Sequence, residues 1–235
     1  MSSIIPIFEK VLNEGRANLS LYEALDVVKA FGLPVAKFVL VKDIDDIEKV
    51  RDVLSPPFVA KISSPDVIHK TDVGGIFLNI QTEEELKYTV ENILENVKRR
   101  MSNAKIDGVI VQEMIKGGYE VIIGGLRDQQ FGPVVAFGLG GVFVEVLKDV
   151  AFDIAPIKPE EALSLIRSIK GYRILLGYRG KQPANLESLA NVLSKASQFL
   201  WEYRRYIKEM DLNPVIVTSK NSYVVDSRII LGAIN

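Results

Sequence analysis

Apolar residues in the first half of the chain recur at helical spacing, in segments separated by short apolar runs. Two of the helical segments begin with capping boxes, Ser20 with Glu23 and Thr82 with Glu85. The short runs are typical of strands. The pattern predicts helices over 20–32, over 43–54 and from 82 onward, and strands over 35–41, 58–62, 75–80 and 109–114.

After Lys116-Gly117-Gly118 the pattern favours paired strands. Two apolar runs flank the polar turn Arg127-Asp128-Gln129-Gln130, which indicates a hairpin. The predicted strands are 119–126, 133–137, 152–157 and two more near Val215 and Val224, and the predicted helices are 159–169 and 185–207. This mixture predicts an α+β fold in two lobes, with a hinge near residue 114.

Composition narrows the class of protein. The chain has 235 residues, 29 of them basic and 30 acidic, and no cysteine. The balanced charge disfavours nucleic acid as a partner, and the lack of cysteine excludes disulfides and thiolate sites. No run approaches the ~20 apolar residues of a membrane span, and the amino terminus lacks the apolar core of a secretion signal. We expect a cytoplasmic protein.

His69 is the only histidine, and it lies in a polar loop that ends in Gly74-Gly75. Imidazole accepts protons near neutral pH and is also a nitrogen nucleophile that can carry a phosphoryl group. His69 is therefore a candidate reaction centre. Taken alone, a single histidine is more often a surface or hydrogen-bonded structural residue.

Two segments offer groups for phosphate. Lys61 lies in the middle of an apolar strand, where a buried ammonium needs an anionic partner such as a bound phosphate. Alternatively, Lys61 is the outward residue of a half-exposed strand. Gly138-Leu139-Gly140-Gly141 could cradle phosphate oxygens with its backbone amides, or it could be a tight turn.

Oxygen ligands that suit Mg²⁺ occur near the end of the chain. Asp211 and Asn213, in Asp-Leu-Asn-Pro, are followed by Asp226. The same four residues are also good turn formers. Glu113 and Glu120 flank the Gly117-Gly118 turn and could hold the polar edges of a nucleotide, although each taken singly is an ordinary solvated carboxylate.

In this order along the chain, the motifs resemble one family. The matching segments are Phe58-Val59-Ala60-Lys61, the loop from Ser64 to Gly75, Phe131-Gly132-Pro133, the run from Gly138 to Asp149, and Asp211-Leu212-Asn213-Pro214. The chain resembles the beta subunit of ADP-forming acyl-CoA synthetases, above all the archaeal acetyl-CoA synthetases, and more distantly that of succinyl-CoA synthetase. The resemblance runs from about residue 6 to the end.

The resemblance implies an ATP-grasp fold, a single α+β domain of two lobes over residues 1–235. One lobe, about 22–113, would carry Lys61 and the His69 loop. The other, 1–21 plus 114–235, would carry the Gly-rich loop and the metal ligands. Family members convert acyl-CoA, ADP and phosphate to the free acid, CoA and ATP through phosphohistidines, one on an alpha subunit and a second that matches His69.

The resemblance also implies the roles of single residues toward ATP or ADP and Mg²⁺. Lys61 would contact the phosphates, Glu120 the ribose, and Asn213 and Asp226 the metal, with Asp211 as a third metal ligand. The remaining matches form two segments: Gln112, Glu113, Met114 and Ile115 would be the hinge against adenine, and Gly138, Gly140 and Gly141 would line the phosphoryl path.

The chain offers no second histidine for a CoA-thioester half-reaction, so we expect an alpha subunit as partner, in an alpha2beta2 assembly. We hypothesise that His69 swings between the two sites, with Asp66 or Asp72 orienting its imidazole. Two other functions stay open: a stand-alone ATP-grasp carboxylate ligase, which would need no phosphohistidine, and a non-catalytic nucleotide-binding regulatory subunit.

Overall fold

The fold was determined as a computed structural model, which describes residues 4–141, 149–178 and 180–232. By their contacts the residues form two compact units. We call residues 18–23 with 36–115 the small unit, and residues 1–17, 24–35 and 116–235 the large unit. Residues 142–148, which belong to the predicted Gly138–Asp149 run, lie outside the described residues.

The small unit is built on a four-stranded antiparallel sheet with the order β1-β4-β2-β3. Its strands are β1 (Phe38–Val41), β2 (Phe58–Ser63), β3 (Ile76–Ile80) and β4 (Gly108–Glu113), and its helices are α3 (Ile47–Val53), preceded by a 3-10 turn at Ile44–Asp46, and α4 (Glu83–Arg100). Phe58, Ala60 and Ile62 of β2 pack into a core with Leu86, Val90, Ile93 and Val97 of α4. Strand β2 therefore lies at the centre of this unit.

The large unit is built on a six-stranded sheet with the order β10-β8-β5-β6-β7, in which β9 also pairs with β8. Its strands are β5 (Tyr119–Asp128), β6 (Gly132–Leu139), β7 (Val150–Ile154), β8 (Ile207–Val217), β9 (Ser222–Val224) and β10 (Arg228–Leu231). Its helices are α1 (Ile4–Asn13), α2 (Leu21–Ala30, whose first turn belongs to the small unit), α5 (Pro159–Ser168), α6 (Tyr172–Leu175) and α7 (Leu186–Glu202). Helix α7 packs against β5, β6 and β8.

Local sequence signals are confirmed where side chains cap helices or turns. Ser20 Oγ accepts from the Glu23 amide and the Glu23 carboxylate accepts from the Ser20 amide, which is the predicted capping box. Thr82 caps α4, but the Glu85 carboxylate accepts from the Gln81 amide instead of that of Thr82. At the predicted hairpin turn, hydrogen bonds from the amides of Phe131 and Gln130 lower the pKa of Asp128.

Other boundaries differ from the predictions. Helix α7 ends at Glu202 rather than at residue 207, because residue 207 is already the first residue of β8. Helix α1 and strand β10 had not been predicted. Residues 24–35 group with the large unit by their contacts. The reason is long-range packing: the Phe31 ring contacts Phe199, and the Pro34 carbonyl accepts from the Val224 amide.

The division into lobes at the predicted boundaries stays a prediction. The contact boundary between Ile115 and Lys116 lies close to the expected hinge. None of the helices in the described ranges combines the length and apolar character needed to cross a lipid bilayer.

Candidate functional site

Lys61 is a buried cation in the sheet of the small unit. It lies on β2 between Ile76 of β3 and Ile110 of β4, and only 4% of its surface is exposed. All six residues of β2 are buried, so the alternative of an outward residue on a half-exposed strand is wrong. The ammonium donates to the amide oxygen of Gln112 at 3.1 Å. A buried ammonium is stabilised by an anionic partner, so Lys61 is suited to contact a phosphate group.

Gln112 holds Lys61 in a fixed orientation. It lies opposite Val59 on the neighbouring strand, two residues from Lys61 along β2, and is therefore on the same face of the sheet. Gln112 is 1% exposed, and its amide nitrogen donates to the Ala36 carbonyl while its oxygen accepts from Lys61. The sequence had placed Gln112 only in the adenine hinge. The structure adds a contact with the lysine.

The rest of the predicted hinge continues directly from β4. Glu113, the last residue of that strand, and Met114 donate their backbone amides to the carbonyls of Lys37 and Pro57. Glu113, Met114 and Ile115 are all partly buried. Backbone pairing thus fixes the course of this segment. A segment that is to present its backbone groups to a nucleotide base has to be held in this way.

His69 is exposed at the tip of the loop between β2 and β3. Both ends of this loop are fixed. Val67 is buried in the core and Val73 packs against it, while the Gly75 amide donates to the Lys70 carbonyl at 2.7 Å. A side chain at Gly75 would lie 2.6 Å from Ile62, so the backbone approaches β2 closely there. The arrangement presents His69 to solvent on a short segment with firm ends.

The two carboxylates predicted to orient His69 are in different surroundings. The Asp66 carboxylate accepts from the Lys105 amide at 2.7 Å, and the Asp66 amide donates to Ser64. Asp72 is exposed, and its backbone carbonyl accepts from the Arg100 guanidinium. The choice between Asp66 and Asp72 stays open.

In the large unit, the Gly-rich segment and Glu120 are brought together. Gly138 lies in β6, one residue before the strand ends, and the Gly140 backbone amide donates to the Glu120 carbonyl at 2.7 Å. A Cβ at Gly140 would lie 3.0–3.1 Å from Glu120 atoms, most of them backbone, so only glycine fits without a shift. Gly141 has a φ of +62°. The exposed Glu120 side chain thus stands beside a glycine turn, as a site for ribose and phosphates would require.

Two of the three predicted metal ligands, Asp211 and Asn213, lie in the middle of β8, and the third, Asp226, lies between β9 and β10. The Asn213 amide donates to the Asp226 carbonyl at 3.3 Å, so these two residues are neighbours. Asn213 and Pro214 are within strand β8, at a β-bulge opposite β5, and the alternative of a simple turn is wrong. Asp211 lies two residues earlier, paired with Gly124 on one side and Arg228 on the other.

The oxygen donors fit Mg²⁺, which takes one or two carboxylates and fills its other positions with water and phosphates. Within the described ranges no cluster of three or more His, Cys, Asp or Glu side chains is arranged for a metal. The set of Asn213, Asp226 and Asp211 has only two carboxylates, and it stays a predicted magnesium site. Arg228, opposite Asp211, had not been singled out from the sequence.

The fold places the chain in a broad class. Residues 10–231 match the family model of the ATP-grasp domain, and two antiparallel sheets with helices form an α+β protein, as predicted. The chain is an ATP-grasp protein.

Relatives narrow this class. The beta subunit of ADP-forming acetate–CoA ligase II from Pyrococcus furiosus is 46% identical over 229 residues, which cover 97% of this chain and 97% of that subunit. Candidatus Korarchaeum cryptofilum dinucleotide forming acetyl-coenzyme A synthetase 1, solved with coenzyme A, Ca-AMPCP and HgCl⁺, has a TM-score of 0.93 at 44% identity, over 98% of this chain and 100% of that chain. The chain belongs to the family of beta subunits of ADP-forming acetyl-CoA synthetases. The succinate–CoA ligase beta subunit of Anaplasma marginale is more distant, at 22% identity over 90% of this chain and 55% of that subunit.

Two further structures of the Korarchaeum enzyme describe a phosphohistidine segment. In one, with coenzyme A and acetyl-coenzyme A, the segment is phosphorylated and in the site I orientation (TM-score 0.89, 42% identity). In the other, with coenzyme A and Mg-AMPPCP, it points towards the nucleotide binding site (TM-score 0.85, 40% identity). Each match covers 98% of this chain and 100% of that chain.

Replacing Gly140 with alanine tests the contact between the Gly-rich segment and Glu120. The new methyl group meets backbone atoms, so we expect Gly140→Ala to lower the free energy of unfolding by about 1–3 kcal/mol and to weaken nucleotide binding. Denaturant unfolding and calorimetric titration with Mg-ADP measure the two effects. Gly124→Ala, whose methyl group would make an ordinary 3.4 Å contact with Ala136, is the control. Equal behaviour of the two variants would contradict the assignment.

Proposed function

We propose that this chain is the nucleotide-binding beta subunit of an ADP-forming acyl-CoA synthetase, which converts acyl-CoA, ADP and phosphate to the free acid, CoA and ATP. The observation that carries the proposal is the position of its only histidine, exposed at the tip of a loop with fixed ends. Membership of the acetate–CoA ligase family supports it, as does the phosphohistidine segment of the Korarchaeum relative.

His69 is the carrier of the phosphoryl group in this proposal. In the first transfer, the bond from phosphorus to the imidazole nitrogen of the partner's phosphohistidine breaks and a bond to an imidazole nitrogen of His69 forms. In the second, an oxygen of the ADP β-phosphate attacks the same phosphorus, the bond to His69 breaks, and ATP leaves. Both steps exchange one bond to phosphorus for another, so no oxidant or reductant is needed.

The protein contributes mainly position and positive charge, as in other phosphoryl transfers. Lys61, held by Gln112, contacts the phosphates of the nucleotide. The segment Gln112, Glu113, Met114 and Ile115 meets the adenine, Glu120 meets the ribose, and Gly138, Gly140 and Gly141 line the phosphoryl path. Firm backbone pairing of both segments supports these roles, because a preorganised site loses little entropy on binding.

Asn213 and Asp226 would hold Mg²⁺, with Asp211 as a third ligand. The hydrogen bond between the backbones of Asn213 and Asp226, and the bulge that turns β8 at Asn213, support a shared site. When bound, the ion neutralises negative charge on the nucleotide phosphates.

The partner is an alpha subunit that carries the CoA and acyl site and its own phosphohistidine. The designation of the Pyrococcus relative as a beta subunit supports this, and so does the presence of one histidine where the relay needs two. We propose an alpha2beta2 assembly. The cytoplasmic location stays a prediction.

The first test is His69→Ala in the complex with the partner subunit. We expect the wild type to take label from [γ-³²P]ATP and Mg²⁺ onto His69, in an acid-labile form. The variant should lose this label and at least ~99% of ATP synthesis from acyl-CoA, because an activated nucleophile cannot be replaced by a methyl group. Phosphopeptide mapping and an ATP synthesis assay give the two readouts.

The same variant separates the alternatives. A stand-alone carboxylate ligase would keep its activity in His69→Ala, since it forms an acyl phosphate directly. A regulatory subunit would bind Mg-nucleotide in both proteins and carry no label in either. Binding of Mg-ADP unchanged by the substitution shows that the variant is folded.

The role of Lys61 is tested by Lys61→Met, which keeps the aliphatic stem and removes the charge. We expect the affinity for Mg-ADP to fall roughly 10- to 100-fold, the effect of losing a hydrogen bond to a charged group. Lys87→Met is a matched control, because Lys87 is half exposed on α4 and makes only a surface ion pair with Glu83. Calorimetric titration measures both. A Lys61→Met protein with wild-type affinity would exclude contact with the phosphates.

The metal site is tested by Asp226→Asn, which keeps the shape of the side chain and removes its charge. We expect ADP binding without Mg²⁺ to change little, and the gain in affinity on adding Mg²⁺ to shrink about tenfold. Asp153→Asn, on exposed residue 153 of β7, should keep the full gain. A gain that is equal in both variants would remove Asp226 from the ligand set.

A further inference from the structure

Hydrogen bonds on both sides of His69 hold the exposed segment that carries it. Three residues before His69, the Asp66 carboxylate accepts from the Lys105 amide at 2.7 Å. Three residues after it, the Asp72 carbonyl accepts from the guanidinium of Arg100. Both donors lie close together in the chain, at the end of α4 and in the connection from α4 to β4. The loop is therefore fastened to one place from both sides.

The two tethers differ in what can break them. Lys105 donates through its backbone, from a connection that Asp107 ties to the Ser63 carbonyl. Arg100 donates through a long, exposed side chain with many rotamers. An exposed hydrogen bond of this kind competes with water, and ordering an arginine side chain costs entropy. The Arg100 contact is the one that can open without disturbing the backbone of the sheet.

Attraction to the helix end does not account for this contact. Lys98, Arg99 and Arg100 all lie in the last turn of α4, where any cation interacts favourably with the helix dipole. Arg99 donates to Asn96 of its own helix at 3.0 Å, whereas Arg100 reaches 28 residues back along the chain to the loop. Of these two arginines, Arg100 is the one that contacts the segment carrying His69.

We propose that Arg100 is a positioning residue for His69. Its hydrogen bond to the Asp72 carbonyl holds residues 68–72 in one position. When that bond opens, this segment is released. Val67 on one side and Gly75, which lies against Ile62, on the other remain fixed. The inference rests on the proposed phosphoryl relay, in which His69 serves two sites. The two orientations of the phosphohistidine segment in the Korarchaeum relative are in keeping with a segment that has more than one stable position.

The test uses the complex of this chain with its partner subunit and two single-turnover rates. The first is phosphorylation of His69 from labelled ATP and Mg²⁺, and the second is transfer of the label from His69 to the partner's histidine. Arg100→Met weakens one position of the segment, so it disfavours one transfer relative to the other. We expect the ratio of the two rates to change about fivefold, which is the scale of one hydrogen bond. Hydrogen exchange at the amides of residues 68–73 should become faster.

Two further variants serve as controls. Arg99→Met removes the same charge from the same turn and should leave the ratio unchanged. Arg100→Lys, which retains a donor, should restore part of the wild-type ratio. The melting temperatures of Arg99→Met and Arg100→Met should agree.

Several outcomes would overturn the role of Arg100. These are an unchanged ratio in Arg100→Met, an equal change in Arg99→Met, or a parallel fall of both rates, which is the sign of a merely structural defect. Wild-type protein that never carries label on His69 would overturn the relay itself and this role with it. Normal labelling with an unchanged ratio would overturn only the role of Arg100.

Discussion

The pairing of strand β2 on both of its edges is the constraint on which the small unit depends. Because β3 and β4 flank it, β2 cannot slip in register without moving every side chain to the other face. Its even-numbered residues fill the hydrophobic core, and Lys61 is thereby fixed on the opposite face beside Gln112. The same strand leads directly into the loop of His69. One set of backbone hydrogen bonds thus fixes both the buried Lys61 and the start of the loop from Ser64 to Gly75, which we call the carrier loop.

The carrier loop satisfies two opposing requirements. A phosphoryl carrier that serves two sites has to move, yet in-line transfer demands that it be well positioned at each of them. In the proposed relay, the motion is confined to the few residues between the two fixed ends of the loop. Val67 and the backbone at Gly75 are packed, whereas Ile68 beside His69 is 49% exposed and resists displacement less than a core residue would. What restrains the tip is a small number of polar contacts, which exchange readily with water.

Local chemistry predicted much of the fold and of the candidate site. The capping box of Ser20 and Glu23 and the hairpin turn at Asp128 depend on residues within four positions of each other, and both were recognised from the sequence. Burial of Lys61 was not decided, because an apolar strand with one lysine reads equally well as an edge or as a centre. That choice depends on β3 and β4, which pair with β2 from elsewhere in the chain.

The same limit explains the other differences. Asp-Leu-Asn-Pro is good turn chemistry, but β5 and β10 hold this segment in a strand, and the bulge at Asn213 comes from pairing over about 90 residues. Likewise, the contact of Arg100 with the loop joins residues 28 positions apart, and no local pattern indicates it. The residue types of the candidate site could be predicted from the sequence. The residues that contact them could not, because those contacts depend on distant parts of the chain.

Close backbone approach recurs at the turns beside the candidate site residues of both units, and it limits which residues can occupy those turns. Gly75 lies against Ile62 beside the carrier loop, and Gly140 lies against Glu120 beside the Gly-rich segment. In neither place does the glycine contribute a functional group. Its contribution is the absence of a Cβ, which lets a turn seat directly on a paired strand and so fixes the side chains next to it. The positions of the candidate site residues therefore depend on how closely these turns pack on the sheets. A substitution at such a glycine can displace those side chains even when it changes no charge.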